Sequence, residues 1–291
     1  MLGEIRGEVR FKEPLSFHTS LRIGGPADIF VVPQDVEDIR HALKFAEREQ
    51  LPVAVVGGGN NLLVRDRGVR GVVLKLEGCL GRAEFHGEEA LAGAGVSLSA
   101  LIREAASLNL GGIECLVGIP ATIGGALAMN AGGADGGIGD FVSAVYYLHP
   151  DGTLGEFKPS GAFGYRAFYL PPGAVLIGCR LRLQRRPLPE ISKEIRARLK
   201  QKKSTQPLAL ASAGFVWKNP AGELAARLIE KAGLRGKRVN GAEISSKHTN
   251  FIVNRGGAGA ADILSLMELT RERVHGHFGI TLETEIRILG E

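Results

Sequence analysis

The sequence predicts an α+β protein of three parts: two small α+β units at residues 1–80 and 81–187, and a separate α/β domain at 188–291. Three observations lead to this prediction. Helical and strand-like apolar patterns alternate along the chain, glycine-rich turns follow predicted strands, and Pro187 and Pro189 mark a boundary. A chain of 291 residues is also long enough to form more than one core.

The first unit is predicted to contain a helix followed by buried strands. Asp35 can cap a helix that runs to about Gln50, because its side chain can accept a hydrogen bond from the first helical turn. The apolar run at 53–56 is typical of a buried strand, and 62–64 and 71–76 are further strand candidates.

The second unit is predicted to place one helix beside a hairpin. Ser97 can cap a helix at about 98–108, whose apolar residues recur at helical spacing. From Val142 the sequence becomes β-like, with Asp151-Gly152 as a hairpin turn and 174–183 as a later strand.

The third part alternates helices and strands in a different order. We expect a basic helix at about 190–203, a shorter helix at 223–232, a strand at 250–253, a helix at 261–277 and a last strand at 281–289. This pattern is typical of an independent α/β domain.

Composition excludes several classes of protein. Apolar content is 44%, yet no run approaches the roughly 20 apolar residues that a membrane helix needs, and the start of the chain lacks an apolar signal core. We therefore expect a cytoplasmic protein without a membrane span. Cys79, Cys115 and Cys179 are too widely spaced for a metal or redox pair, so we expect buried reduced thiols and no metal site.

Charge and glycine content point to a small ligand. The net charge of +5 is dispersed, which suits a polyanionic small molecule as well as nucleic acid, and aromatic residues make up only 6%. We expect no nucleic-acid partner. Glycine, at 41 of 291 residues, is about twice the roughly 7% of average proteins, so many backbone positions turn tightly or approach a ligand.

Two glycine-rich segments are candidates for cofactor binding. The turn Gly57-Gly58-Gly59-Asn60-Asn61 can present backbone N–H groups to a phosphate, although a plain loop is an equally open interpretation. The segment 117–133 combines small residues with a rigid proline and hydrogen-bonding Thr and Asn side chains. It suits a backbone-lined pocket for an extended cofactor, and the alternative is a glycine-rich loop packed against a strand.

Seven short motifs span almost the whole chain. They are Thr19–Asp28, Gly57–Leu62, Gly118–Gly132, Gly164–Arg166, Lys218–Pro220, Lys247–Asn254 and Leu282–Gly290. Their order resembles that of the UDP-N-acetylenolpyruvoylglucosamine reductase (MurB) family. The short stretch between Arg166 and the strand near 174 resembles the shorter, type II form of that family.

The resemblance implies a vanillyl-alcohol-oxidase/PCMH-like FAD-binding fold of two subdomains, with a C-terminal α/β substrate-binding domain. It implies noncovalent FAD, reduced by NADPH, and a monomer. The implied reaction converts UDP-N-acetylglucosamine enolpyruvate to UDP-N-acetylmuramate in peptidoglycan precursor synthesis. The implied FAD contacts are Gly57, Gly58, Gly59, Asn60, Asn61, Leu62, Gly118, Ile119, Pro120, Ala121, Thr122, Gly124, Gly125, Asn130 and Ala131.

The same resemblance assigns catalysis to Arg166 and Glu285. An arginine can hold the substrate carboxylate with two hydrogen bonds, and a protonated Glu285 can donate to the enolate that forms. From the residues alone, Arg166 is typical of a surface ion pair, and Glu285 of the solvated face of a strand. The resemblance implies that Tyr165, Lys218 and Asn219 bind the substrate.

The chain departs from the family pattern at three positions. Phe215 stands where the family has the Ser or Cys that protonates the enolate, and phenylalanine has no transferable proton. We expect water to deliver this proton, with Ser212 as the second choice. Ala121 replaces a glycine, Trp217 stands where the family commonly has Phe, and we interpret His248 as structural.

Two alternative functions remain open from the sequence. Another FAD-dependent oxidoreductase of the same fold would share the glycine-rich segments but need not keep Arg166 and Glu285 together. A basic nucleic-acid-binding module would bind in a salt-dependent way and carry no flavin.

Overall fold

The computed structural model describes residues 2–76 and 80–291 and divides the chain into two compact units. The first unit contains residues 1–11, 29–58 and 71–202. The second contains residues 12–28, 59–70 and 203–291. The division into three parts at residues 80 and 187 stays a prediction.

Helices and strands alternate along the chain. The α-helices are α1 (Val36–Arg48), α2 (Leu98–Ser107), α3 (Ile123–Ala128), α4 (Leu188–Thr205), α5 (Ala225–Lys231) and α6 (Ala260–Phe278). Short 3-10 helices occupy Leu2–Glu4, Leu15–His18, Glu114–Leu116 and Ile138–Asp140.

Most strands are short. Strands β1 to β7 are Glu8–Pro14, Pro26–Val32, Val53–Val56, Leu62–Val64, Val69–Lys75, Ala83–His86 and Glu89–Gly93. Strands β8 to β14 are Leu110–Gly111, Gly132–Gly133, Gly136–Gly137, Val142–Leu148, Leu154–Phe157, Phe163–Gly164 and Ala167–Phe168. Strands β15 to β21 are Val175–Arg182, Gln184–Arg185, Ala211–Ser212, Arg238–Val239, Ala242–Ile244, Ile252–Asn254 and Arg287–Leu289.

Helix α1 packs on a four-stranded sheet in the first unit. The strand order is β1-β2-β5-β3, and β3 runs parallel to β5. Buried side chains of α1, such as Ile39 and Leu43, share one core cluster with Val31, Val72 and Leu74 of the strands. Burying these apolar surfaces stabilises the layer.

The predicted cap of α1 is confirmed. The Asp35 side chain accepts a hydrogen bond from the Asp38 N–H at 3.1 Å. The helix ends at Arg48, slightly before the predicted Gln50, because Gln50 adopts a left-handed backbone conformation with φ of 53°. The strand predicted at 53–56 coincides with β3, but it is not buried as predicted, because Val56 alone is fully buried and Val55 is 41% exposed.

An antiparallel five-stranded sheet forms the second layer of the first unit. Its order is β12-β11-β15-β7-β6, and helices α2 and α3 share one core cluster with it. The predicted turn at Asp151-Gly152 joins β11 to β12, where the His149 N–H donates to the Thr153 carbonyl at 2.9 Å.

Ser97 is the N-cap residue of α2, as predicted, but its side chain makes no capping hydrogen bond. The hydroxyl oxygen lies 3.0 Å from that of Ser99. A distant residue of the same chain supplies an acceptor, because the Leu98 N–H donates to the Ala121 carbonyl at 2.9 Å. A tertiary contact therefore replaces part of the local cap.

The second unit is built on the antiparallel sheet β17-β20-β19-β18 with helices α5 and α6. The helices predicted at 223–232 and 261–277 correspond to α5 and α6. Trp217 is fully buried in the core with Met267 of α6, and the Arg271 guanidinium lies 5.3 Å from its ring centroid. Trp217 is therefore a core residue of this unit.

The last strand is shorter than the predicted range 281–289. Only β21, Arg287–Leu289, forms a strand, and it pairs in parallel with β4. The preceding segment bonds elsewhere: the Lys218 N–H donates to the Glu283 carbonyl at 2.9 Å, and the Glu285 N–H to the Val216 carbonyl at 2.8 Å. The segment changes its partner near Ile286, so one continuous ladder cannot form.

The described cysteines carry free thiols. Burial raises the pKa of the Cys179 thiol to about 12, and it also raises the pKa of the half-buried Cys115. Cys79 lies outside the described residues. Within residues 2–76 and 80–291, no group of three His, Cys, Asp or Glu side chains is arranged to hold a metal ion.

Candidate active site

The first unit brings the two predicted cofactor segments into contact. Gly57 follows β3, and a methyl group at this position would overlap the Thr122 hydroxyl. That hydroxyl accepts a hydrogen bond from the Gly125 N–H at 3.3 Å and so caps α3. Only glycine allows the turn after β3 to lie this close to the start of α3.

A buried lysine holds the same turn from another strand. Lys75 is the last residue of β5, and its ammonium group donates to the Gly57 carbonyl at 2.8 Å. The side chain is almost fully buried. Lys75 was not predicted from the sequence as a site residue. The signal that could have indicated it is a lysine next to the apolar run of β5.

The cofactor segment from residue 118 to 133 keeps a surface accessible. Its partly or fully exposed members include Gly118, Ile119, Pro120, Ala121, Gly124, Gly125 and Asn130, whereas Thr122 and Ala131 are buried. The backbone φ of Ala121 is not in the positive range, so its methyl group causes no backbone strain there.

The Tyr165-Arg166 turn is fastened to this segment. The Asn130 side-chain amide donates to the Gly164 carbonyl at 3.0 Å, and its oxygen accepts from the Gly139 N–H at 3.0 Å. Strands β13 and β14 pair on either side of the turn. The structure therefore joins two of the predicted sites in one unit.

Arg166 lies at the tip of that turn in a left-handed conformation, with φ of 54°. Such a conformation is uncommon for a residue other than glycine, and it costs on the order of 1 kcal/mol. The guanidinium donates to the Gly132 carbonyl at 2.9 Å and lies 5.7 Å from the Tyr165 ring centroid. Tyr165 is itself 59% exposed. The guanidinium is thus half-buried and holds a backbone carbonyl of the neighbouring glycine-rich segment.

Lys202 of α4 adds positive charge beside this arginine. Its aliphatic chain packs against Gly118, which has a φ of 73°. Burial lowers the pKa of Lys202, and repulsion from Arg198 and Arg166 lowers it further. Clustered cations of this kind attract anionic ligands.

In the second unit, the remaining turn residues contact the chain near Glu285. The Asn61 side-chain amide donates to the Glu285 carbonyl at 3.1 Å, and the Arg287 N–H donates to the Asn61 carbonyl at 2.9 Å. Leu62 opens β4, which pairs with β21. The half-buried Glu285 is thus held by its backbone beside a predicted cofactor residue.

Ser20 connects this turn to the segment before Phe215. Its hydroxyl donates to the Ser212 carbonyl at 2.7 Å, and its N–H donates to the Gly59 carbonyl at 3.1 Å. Gly59 has a φ of 65°, and a side chain there would overlap the His18 carbonyl. A Cβ added at Gly214 would lie 4.0 Å from the carbonyl oxygen of the half-buried Asn60.

Phe215 belongs to an aromatic cluster with His248 and Phe251. Its ring stacks on the His248 ring with centroids 4.9 Å apart, and its edge meets Phe251 at 5.2 Å. The His248 Nδ1 accepts from the Asn250 N–H at 3.3 Å, which is consistent with a structural role. The Phe215 side chain is therefore packed between two other rings.

Lys218 and Asn219 make structural contacts. The Lys218 ammonium lies 3.2 Å from the Glu283 carboxylate. The Asn219 side-chain oxygen accepts from the Ala225 N–H, the first residue of α5, at 3.0 Å. Their proposed contacts with substrate are additional to these roles.

Comparisons with known proteins identify the family of this chain. Residues 206–289 match the UDP-N-acetylenolpyruvoylglucosamine reductase, C-terminal domain, and residues 27–158 match an FAD binding domain. The chain is 43% identical over 289 residues to the UDP-N-acetylenolpyruvoylglucosamine reductase of Geobacter metallireducens, with 99% of this chain and 96% of that protein aligned. This chain belongs to the UDP-N-acetylenolpyruvoylglucosamine reductase (MurB) family.

Other MurB proteins give the same result. The Moorella thermoacetica reductase is 43% identical over 285 residues, covering 98% of this chain and 94% of that protein. The crystal structure of MurB from Thermus caldophilus aligns with a TM-score of 0.85 at 38% identity, over 98% of this chain and all of that one. The predicted family and FAD-binding fold are confirmed, and the protein is an oxidoreductase.

The residues present fit the FAD that the family uses. A side chain at Gly57 would overlap the Thr122 hydroxyl, and one at Gly59 would overlap the His18 carbonyl. Both positions therefore need glycine, whose bare backbone can lie close to a ligand. The match to an FAD binding domain confirms the predicted flavin. Among the helices of the described residues, none combines the length and hydrophobicity required to span a membrane.

Replacing His248 with Phe should remove a pH-dependent contribution to the stability of this MurB protein. Burial lowers the pKa of His248 below 6.5, an effect that Arg235 reinforces and a backbone hydrogen bond opposes. A lowered folded-state pKa contributes stability that is present above about pH 6.5 and is lost as the pH falls through the folded value.

Urea unfolding of both proteins between pH 8 and pH 5 measures this contribution. The difference in unfolding free energy between wild type and His248→Phe should be constant above pH 7. Below pH 6, wild type should lose stability relative to His248→Phe. A difference that stays constant down to pH 5 would contradict a buried neutral histidine.

Proposed function

We propose that this MurB-family protein reduces UDP-N-acetylglucosamine enolpyruvate to UDP-N-acetylmuramate, with FAD as cofactor and NADPH as reductant. The observation that supports it most is the hydrogen bond from the Asn61 amide to the Glu285 carbonyl. It joins a proposed flavin contact to a proposed catalytic acid within one unit. Bound FAD would supply the hydride that adds to the enolpyruvyl double bond.

Arg166 would bind the carboxylate of the enolpyruvyl group. Hydride addition to the terminal carbon leaves negative charge on the neighbouring carbon and on this carboxylate, as an enolate. A guanidinium can make two parallel hydrogen bonds to a carboxylate, and its charge stabilises the enolate more than the starting material. Lys202, whose charge acts on Arg166, would strengthen the field.

Glu285 would donate a hydrogen bond to the enolate oxygen from a protonated carboxyl group. Its backbone is fastened on two sides, by the Val216 carbonyl and by the Asn61 amide. Fixed backbone positions limit the reorganisation that the donor needs during the reaction. The proposed role requires that the carboxyl group be neutral at the operating pH.

The proton that completes the product would come from water. Phe215 has no transferable proton, and its ring packs on His248 and Phe251. Ser212 is the second candidate, and its carbonyl is fixed by Ser20. The enolate carbon would accept one proton, which forms the new C–H bond of the lactyl ether.

Tyr165, Lys218 and Asn219 would contact the sugar nucleotide. Tyr165 offers an exposed ring and hydroxyl, and Lys218 offers a positive charge to the diphosphate. We also propose the type II form of the family, a monomeric state and a cytoplasmic location, where the nucleotide substrate and NADPH would be present.

Anaerobic reduction of the purified flavoprotein tests this function. NADPH should bleach the flavin absorption band, and UDP-N-acetylglucosamine enolpyruvate should then restore it. Bleaching without recovery would contradict the proposed substrate and favour another oxidoreductase of this fold. Absence of bound flavin after incubation with FAD would contradict the function as a whole.

Glu285→Gln should slow the second half-reaction by about 10²-fold, because an amide is a weaker donor to an enolate than a neutral carboxyl group. Bleaching by NADPH should keep its wild-type rate. The matched control is Glu272→Gln, an exposed glutamate of α6. Stopped-flow recovery of the flavin band measures both variants, and nearly full turnover of Glu285→Gln would remove Glu285 from the mechanism.

Phe215→Ser should accelerate turnover, because it introduces a hydroxyl at the position of the family proton donor. General acid catalysis is typically worth about 10²–10⁴-fold, and an increase within the lower part of that range is expected. The measurements are steady-state turnover and incorporation of solvent deuterium at the new stereocentre. If neither changes, protonation does not limit the wild-type enzyme and the proposed deficit is wrong.

A further inference from the structure

Lys75 is a charged residue in an apolar strand. Only 7% of it is exposed, and its strand neighbours Val72, Val73 and Leu74 are fully buried. Burying an ammonium group is costly unless it is hydrogen-bonded, and an apolar side chain would suit the strand better. This buried ammonium group is hydrogen-bonded to the glycine turn after β3.

The contact of Lys75 determines the orientation of one peptide group. Its ammonium holds the Gly57 carbonyl at 2.8 Å, and the Gly57-Gly58 peptide bond is trans, because no cis bond occurs in the described residues. In a planar trans peptide the N–H points opposite to the C=O. The Gly58 N–H is therefore directed away from Lys75.

Thr122 restrains the same residue from another side. The Gly57 Cα lies so close to the Thr122 hydroxyl that a Cβ could not be accommodated. A glycine would otherwise allow the peptide to rotate freely. Together the two side chains select one orientation for a peptide within the glycine turn.

We propose that Lys75 is a positioning residue for the FAD diphosphate. It orients the Gly58 N–H as a phosphate donor, and its buried charge adds to the positive potential at the base of the turn. This inference rests on the proposed function only in that FAD is the cofactor. Phosphate binding by the glycine turn would thus depend on the Lys75 side chain, which contacts the turn through the Gly57 carbonyl.

Titration of flavin-free protein with FAD, followed by quenching of flavin fluorescence, tests the proposal. Lys75→Met, close to isosteric and uncharged, should raise the Kd for FAD by at least 10-fold. Lys75→Gln can keep a donor to the Gly57 carbonyl but lacks the charge, so its Kd should rise less. Lys75→Arg should bind within about 3-fold of wild type, and the exposed control Lys44→Met should match wild type.

Thermal unfolding of the flavin-free variants separates binding from folding. A purely structural lysine would lower the Tm of Lys75→Met without changing the Kd for FAD, and that result would overturn the proposal. If Lys75→Met does not fold, Lys75→Gln decides: a raised Kd supports the proposal and a wild-type Kd overturns it. Wild-type protein that binds no FAD would overturn both this inference and the proposed function, whereas failure of substrate turnover alone would leave the FAD result standing.

Discussion

The close approach of Gly57 to Thr122 is the constraint on which the cofactor side of the first unit depends. The turn after β3 can therefore contact the capped start of α3. The Gly57 carbonyl in this turn accepts a hydrogen bond from the Lys75 ammonium group. Asn130 then fastens the same glycine-rich segment to the turn that carries Arg166. The glycine at position 57 therefore allows the contact with Thr122, and Asn130 links the same segment to a proposed catalytic residue.

In the second unit the proposed site is held by hydrogen bonds to the main chain, two of them from side chains. Asn61 and Val216 hold the main chain on either side of Glu285, and Ser20 joins the glycine turn to Ser212. The Phe215 ring packs against His248 and Phe251 in the same unit.

Local signals allowed part of this structure to be predicted. The cap at Asp35 and the strand at 53–56 follow from residues adjacent in sequence, and the order of the motifs indicated the family. The late start of the strand predicted at 281–289 depends on a change of pairing partner that no local pattern records. Strand β1 was missed because its charged, exposed residues show little apolar alternation, and the importance of Lys75 depends on burial.

The most direct test of the account is the FAD affinity of Gly57→Ala, Thr122→Ala and the double variant, measured as a double-mutant cycle. The added methyl group overlaps the Thr122 hydroxyl, so Gly57→Ala should lose at least 10-fold in FAD affinity. Removal of that hydroxyl should restore part of the loss in the double variant, despite the lost helix cap. Wild-type affinity of Gly57→Ala, or strictly additive effects in the cycle, would contradict the central role of this contact.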